Sequence, residues 1–529
     1  MSVLTVGRLS ATVHTADSRP VDRMLRRLAE RRLDEAMAAV TLPPGDWCLR
    51  RVDAVLRWDA DHHESDVERA WAQTLVASLY ALLEGSSTSD TLRIPGTSED
   101  IVHYRTEVDA LADVIASLAG RDHAREWAWR QLGLRVTGDP PTGADPLGAV
   151  LAAAERRPHA VSAALTVALS RVGAAALHRL FGSAGWPRIA AVVTAAHGCS
   201  AAETADLLTT GHPVLEAGAE PGADIGRERV RAMLRGAELA VALGRAGLRA
   251  DAATARAWAV LDLTAADPAG LRAPRAAERV TLLAHALAGS PPAAGLAVDR
   301  AAAPRLAGVR PGGPEGARTT EDTTPLHQAR PAEPGMASAG AAADAAQGSC
   351  GGGPDDISVG RGAVTEWAGL LFLLATAADA GLPDRLHQDP ALVDRSVRWT
   401  LHRLALELAP YAAEDDPAVL ALAGQPPTAD PPAGPGPNPA EQAALTATAG
   451  HWRAATARRL DPDAPDAENV IAGIIARRGE VVADPGWLEV VLDIADIDFN
   501  IRRAGLDLDP GWVPWLGVVV RFRYVGDPS

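Results

Sequence analysis

The carboxylates near the C-terminus are the first residues whose spacing could do chemistry. Asp493, Asp496 and Asp498 follow a Val/Ile-rich run, and Asp507 and Asp509 lie shortly after them. Paired acids can hold Ca2+ or share general acid and base roles. The same residues also make turns and helix caps, and Asp496 ahead of Ile497–Arg503 reads as such a cap. No glycine spacing of the EF-hand kind accompanies them. Among the histidines, His62 and His63 are adjacent and do not face one way on a helix. His178, His197 and His212 have no cysteine or carboxylate at metal-ligand spacing. Cys48, Cys199 and Cys350 are far apart and odd in number, so neither a disulfide framework nor a zinc site follows, and a reducing cytoplasm is the compartment that they imply. All 51 basic residues are arginine. The absence of lysine excludes a P-loop, a Schiff base and a Ser-x-x-Lys pair. A glycine-rich phosphate loop after a strand and a Gly-x-Ser-x-Gly elbow are also missing. The reading is therefore non-enzymatic, with no cofactor and no metal.

What remains is aromatic. Asp-Pro-Gly-Trp occurs twice, at Asp484–Trp487 and Asp509–Trp512, each time just before a β-branched run. Proline fixes one corner of a turn and glycine supplies the positive φ of the next. Trp512 and Trp515 flank Val513-Pro514 and lie near Arg502 and Arg503. An exposed Trp-x-Pro-Trp edge with arginines is a partner-binding hot spot in composition. The competing reading places both rings in the core of a small domain that has few other large side chains.

These residues need a scaffold, and the chain is long enough for several cores, at 529 residues with 47% apolar residues. A net charge of −16 argues against nucleic-acid binding, which needs a concentrated basic face. No basic-then-apolar leader opens the chain, and the longest near-apolar run noted, Ala368–Ala378, is too short to span a bilayer.

The expected fold class is mainly α: an N-terminal β-α-β-α unit, a multi-helix middle, a disordered linker and a small α+β C-terminal domain. Residues 1–90 form the first unit, with strands at 3–13 and 47–58 and helices at 20–40 and 65–83. Residues 99–289 read as short alanine-rich helices, at roughly 145–157, 159–181, 186–197, 201–209, 226–246, 251–264 and 274–288, separated by Gly and Pro breaks. Residues 290–361 are too poor in apolar side chains to offset their ordering entropy and read as the linker. A helical segment (362–424) follows, opened by Thr365 as N-cap of an apolar helix, with further helices at 390–409 and 416–423. A stiff proline-rich spacer (425–440) leads to the last domain (441–529), where a helix at 440–459 runs into the strands.

Two regions resemble a known family. Near the N-terminus, Thr5-Val6-Gly7-Arg8-Leu9 leads through a helix to Cys48-Leu49-Arg50-Arg51-Val52-Asp53-Ala54-Val55-Leu56 and another helix. Further on stand Trp367-Ala368-Gly369-Leu370-Leu371-Phe372-Leu373-Leu374, Pro485-Gly486-Trp487 and Pro514-Trp515. This set resembles the tape-measure-like proteins of bacterial contractile injection systems. The second strand of their opening unit reads roughly Ile-Arg-Ile-Asp-Arg-Leu-Glu-Leu-Asp-Leu, their apolar helix Asn-Ala-Gly-Leu-Val-Leu-Leu, and their closing elements carry Gly-Trp and Pro-Trp. Here Trp367 replaces the asparagine. The resemblance implies a cytoplasmic component of a phage-tail-like particle, with tube, sheath or baseplate proteins as partners. A continuous helix of 529 residues would reach about 800 Å. Given the many Gly/Pro stops, an adaptor, assembly or baseplate-proximal role fits equally well beside a tape-measure-like one. The other class left open is a stand-alone helical enzyme or regulator with a small acidic site around Asp493–Asp509.

Overall fold

The computed structural model describes residues 45–51, 101–209 (except 137), 251–289 (except 274), 362–460 (except 383 and 394) and 467–526, with scattered positions within 66–78 and 239–250. The strand expected at 3–13, the helix at 20–40 and the linker at 290–361 lie outside the described residues.

The first strand, β1 (Asp46–Leu49), pairs antiparallel with β2 (Ile101–Tyr104). Trp47 faces His103 across this ladder, their rings stacked at 4.0 Å. β2 falls in a stretch expected to be helical. Its four residues, Ile-Val-His-Tyr, are β-branched and aromatic, but the run is too short to stand out before the long helical pattern behind it. The described positions between Asp66 and Ser78 are helical, as the expected 65–83 helix requires.

The helical half follows with α1 (Glu107–Ala119), α2 (Glu126–Gln131), α3 (Pro146–Arg156), α4 (Val161–Ala196), α5 (Ala201–Leu208), α6 (Ala252–Ala266) and α7 (Ala276–Gly289). α1 and α5 each start at a capping box, Thr106 with Asp109 and Ser200 with Glu203. Each box satisfies two backbone donors that the first turn leaves without partners. α4 is the hub, packed on α1, α3 and α6. α4 holds the two helices expected there, at 159–181 and 186–197, joined across a kink. It bends at Gly173 (φ 76°) and Gly182 (φ 56°), where only glycine takes the left-handed conformation at no cost. By length and composition alone, Pro158–Ala196 could cross a membrane, so the longest apolar stretch is here and not at 368–378. Half of an apolar 18-residue window within it is buried in this protein's own core. The segment expected at 226–246 lies almost wholly outside the described residues.

One buried carboxylate ties this half together. Asp113 on α1 is 1% exposed. Its Oδ2 accepts from the Tyr104 hydroxyl (2.7 Å) and from Trp129 Nε1 (3.0 Å), and its Oδ1 accepts from Arg125 (2.7 Å). A buried charge is tolerated when it is paired and fully hydrogen-bonded. Here it joins β2, α1 and α2.

The second half begins with β3 (Ala363–Thr365) and a 3-10 segment, Ala368–Thr376. It continues through α8 (Asp384–Gln388), α9 (Val397–Leu408), α10 (Pro417–Leu422), α11 (Pro439–Leu460) and α12 (Ala467–Ile475). It ends with β4 (Gly479–Asp484), β5 (Trp487–Asp493), α13 (Phe499–Ala504), β6 (Gly511–Val513) and β7 (Val518–Val525). The sheet order is β3-β4-β5-β7-β6, antiparallel except for the parallel β5–β7 pair.

Several expectations change here. Thr365 does not cap an α-helix; it ends β3, takes the Trp367 amide (2.9 Å) and donates to Asp416 (2.8 Å). The apolar run behind it is buried on every side, so nothing selects an amphipathic helix, and it winds as 3-10 turns. Gly369 sits so close to the backbone that an added β-carbon would overlap the Ile474 carbonyl oxygen. The expected 390–409 helix starts later, at Val397, and α12 was not foreseen. Because β3 pairs with β4, residues 362–424 and 441–529 share one sheet and one core, and the expected boundary between them disappears.

Replacing Asp113 with alanine is expected to cost about 3 kcal/mol or more, because Tyr104, Trp129 and Arg125 lose their shared acceptor. Urea unfolding of the purified variant reads this directly, and a loss under about 1 kcal/mol would remove Asp113 from its central place.

Candidate partner-binding surface

The four residues singled out from the sequence fall in two places. Arg502 and Arg503 lie in the last turn of α13, Trp512 lies on β6, and Trp515 lies in the β6–β7 turn. Trp512 is half-buried against the helical half of its own chain. Its Nε1 donates to the Ala196 carbonyl at the end of α4 (3.1 Å). The ring meets His197 edge-on at 5.2 Å and lies tilted on His159 at 5.6 Å. Trp515 is half-buried on the core of the second half. The structure thus gives both rings intramolecular contacts, and no continuous Trp-x-Pro-Trp edge stands beside the arginines.

The same turn fastens the two halves. His197 Nδ1–H donates to the Pro514 carbonyl (2.7 Å). Gly486 in the β4–β5 turn lies against Ala163 of α4, and Arg105 pairs with Asp484 at 3.1 Å. On the far side of Trp512, His159 contacts Glu107 at 2.8 Å, and Arg157 reaches the same carboxylate at 3.3 Å. The hydrogen bond from His159 holds the Glu107 carboxyl below its usual range, against the opposing effect of burial. Burial pushes His197 below its ordinary value, so the ring that joins the halves is neutral.

The C-terminal acids have structural duties. Asp493 accepts from the Ala495 amide, and Asp498 caps α13 through the amides of Asn500 and Ile501. The cap expected at Asp496 therefore sits at Asp498, which also pairs with Arg477 at 3.1 Å. Asp509 takes the Phe522 amide (2.8 Å), filling in where the short β6 leaves the β7 edge open. Asp507 is buried; it pairs with Arg502 at 3.1 Å and accepts from the Tyr524 hydroxyl at 3.0 Å. Its Oδ1 is buried without a partner. Among the described residues, no group of three or more His, Cys, Asp or Glu side chains is placed to hold a metal ion.

Between these acids stand apolar side chains that sequence reasoning missed. Ile494 is 54% exposed, Ile497 43%, Phe499 74% and Leu508 55%. Val525, the register partner of Asp493, is exposed as well. Arg503 lies over the Phe499 ring at 6.0 Å, and Arg502 over Tyr524 at 5.5 Å. Single exposed hydrophobics are ordinary, but a run of them on one crossover is the composition of a docking surface. Their signal in the sequence was the alternation of Ile and Phe with Asp in 493–499, which reads first as turn chemistry. Cys48 and Cys199 are buried, and burial, aided by Asp46, pushes the Cys48 thiol up to about 12, so it is inert as a nucleophile.

No protein family model matches the chain, nor does any curated protein or any solved structure.

Stability is expected to fall as pH drops below 6.5, the ordinary histidine value. Burial lowers His197, His387 and His402 in the folded protein, so the unfolded chain binds protons first. Their full contribution is present above 6.5 and is lost on acidification toward the folded values. Urea midpoints measured across this range check the sign, and His197→Gln should flatten the slope. An unchanged slope would mean that His197 is not held neutral at the seam.

Proposed function

We propose that this chain is a non-enzymatic structural or assembly component of a bacterial contractile injection system, acting in the cytoplasm as an adaptor, assembly factor or tape-measure-like part. The observation that carries the reading is the exposed apolar run Ile494, Ile497, Phe499 and Leu508 on the sheet crossover, beside Arg502 and Arg503. Such a surface supports docking onto tube, sheath or baseplate proteins, because an exposed aromatic beside arginine is the composition of binding hot spots. The resemblance at Trp367–Leu374, Pro485–Trp487 and Pro514-Trp515 supplies the system. Those residues serve packing and turns, which fits a structural part.

The runner-up, a helical enzyme or regulator with an acidic site near the C-terminus, draws on Asp507 and its unpartnered Oδ1. It has less support, because Asp493, Asp498, Asp507 and Asp509 already cap backbone amides or pair with neighbours.

A tagged pull-down from the native host, with mass spectrometry of extract and purified particles, tests the reading. Tube, sheath or baseplate proteins are expected with the natural chain and should be depleted with Phe499→Glu. Recovery of the chain alone, or with metabolic enzymes, would overturn it.

A further inference from the structure

The two halves keep separate apolar cores. Among the described residues, Ala269 is the one side chain of the helical half that joins the second core, and no residue of the second half joins the first. Polar contacts and close backbone approaches hold the rest of the seam. Arg398 donates to the Ala265 carbonyl (2.8 Å), Arg279 reaches the Val393 carbonyl (3.4 Å), and a β-carbon at Gly517 would press on Pro268. A seam without a shared core is the part of a chain that opens locally at least cost.

Two histidines meet this seam from opposite sides. His197 of the helical half is 3% exposed and donates to the Pro514 carbonyl of the second half. His387 of the second half is 8% exposed and faces the Ala269 carbonyl of the helical half. Each half thus offers one buried ring to a backbone acceptor of the other. His387 Nε2 is buried without a partner. A second proton there would make a charged donor with no acceptor, which is costly in a buried site. His402 differs, because its acceptor, the Glu414 carbonyl, lies in its own half.

The surroundings of the two rings offer little to a positive charge. The Trp512 ring, the Pro514 carbonyl and Gly517 lie against His197, and none of them is charged. Glu107 stands beyond the indole, already shared by His159 and Arg157. Around His387 act Asp267, Arg279 of α7 and Asp384 of its own helix. Asp384 lies 4.0 Å from Arg272, and Asp267 lies 3.8 Å from Arg279 and also feels Arg398. Burial raises the Asp267 carboxyl, so acid withdraws this counter-charge sooner than from an ordinary aspartate.

We propose that the seam is an acid-sensitive latch: protonation of His197 and His387 parts the two halves while each keeps its own core. Parting frees the Trp512 indole and the end of α4 from each other. The open form takes up the protons, so opening grows as pH falls below 6.5, the ordinary histidine value.

Energy transfer between dye pairs in the full chain tests the latch. One pair at positions 136 and 411 spans the seam, while pairs at 136 and 282 and at 364 and 411 each stay within one half; all four native side chains are exposed. Between about pH 7.5 and about pH 5.5 the open fraction should rise about tenfold for each histidine, since the lower pH is about one unit below the ordinary value. The spanning pair should lose transfer, the two internal pairs should keep theirs, and the change should reverse on return to about pH 7.5. His197→Gln with His387→Gln keeps a neutral donor at both positions and should hold the seam closed. A spanning pair indifferent to acid, all three pairs changing together, or equal opening in the double variant would each overturn the latch. Should the double variant not fold, the natural chain decides alone, by whether the spanning pair changes while the internal pairs do not.

Discussion

The parallel pairing of β5 with β7 is the constraint on which the C-terminal half depends. Parallel neighbours cannot be joined by a tight turn, so the chain must leave the sheet and return over it. Here residues 494–517 make that crossing. One stretch of this path carries α13 and the exposed apolar side chains. A later stretch carries Trp512 and Pro514, which fasten onto the end of α4. The surface offered to solvent and the part of the seam made by Trp512 and Pro514 are therefore consequences of one pairing choice.

The acidic residues make the crossing possible. Each change of direction leaves backbone amides without partners, and a nearby aspartate supplies the acceptor. Asp493 serves the first bend, Asp498 the start of α13, and Asp509 the β7 edge. Arg477 and Arg502 then offset the charge thus concentrated. Carboxylates that looked like a site for chemistry are in this way committed to geometry. What they leave outward is hydrophobic.

Much of the fold was legible in the sequence, for identifiable reasons. Helices α3, α6, α7, α10 and α11 lie close to where apolar spacing and Gly/Pro breaks placed them, because those signals are local. The first Asp-Pro-Gly-Trp is the β4–β5 turn, with Gly486 at φ 71°. The second behaves differently: Gly511 opens β6, and the tight turn lies later, at Pro514–Gly517. β2, β3 and the parallel register were not legible, since short strands are fixed by partners far along the chain. The candidate surface was half legible. Arg502 and Arg503 were noted for their charge, but Phe499 was hidden among aspartates, and Trp512 is placed by a contact with α4 that lies 316 residues away along the chain.

The central claim is that the outward side of the crossover is where this protein is bound. The most direct test is a photo-crosslinking amino acid placed at position 499 in the full chain in its native host, with a second placed at Tyr411, an isolated and more exposed ring. The account predicts crosslinks from position 499, to particle proteins or to a second copy of the chain, and none of comparable yield from position 411. Equal yields from both positions, or none from 499, would contradict it.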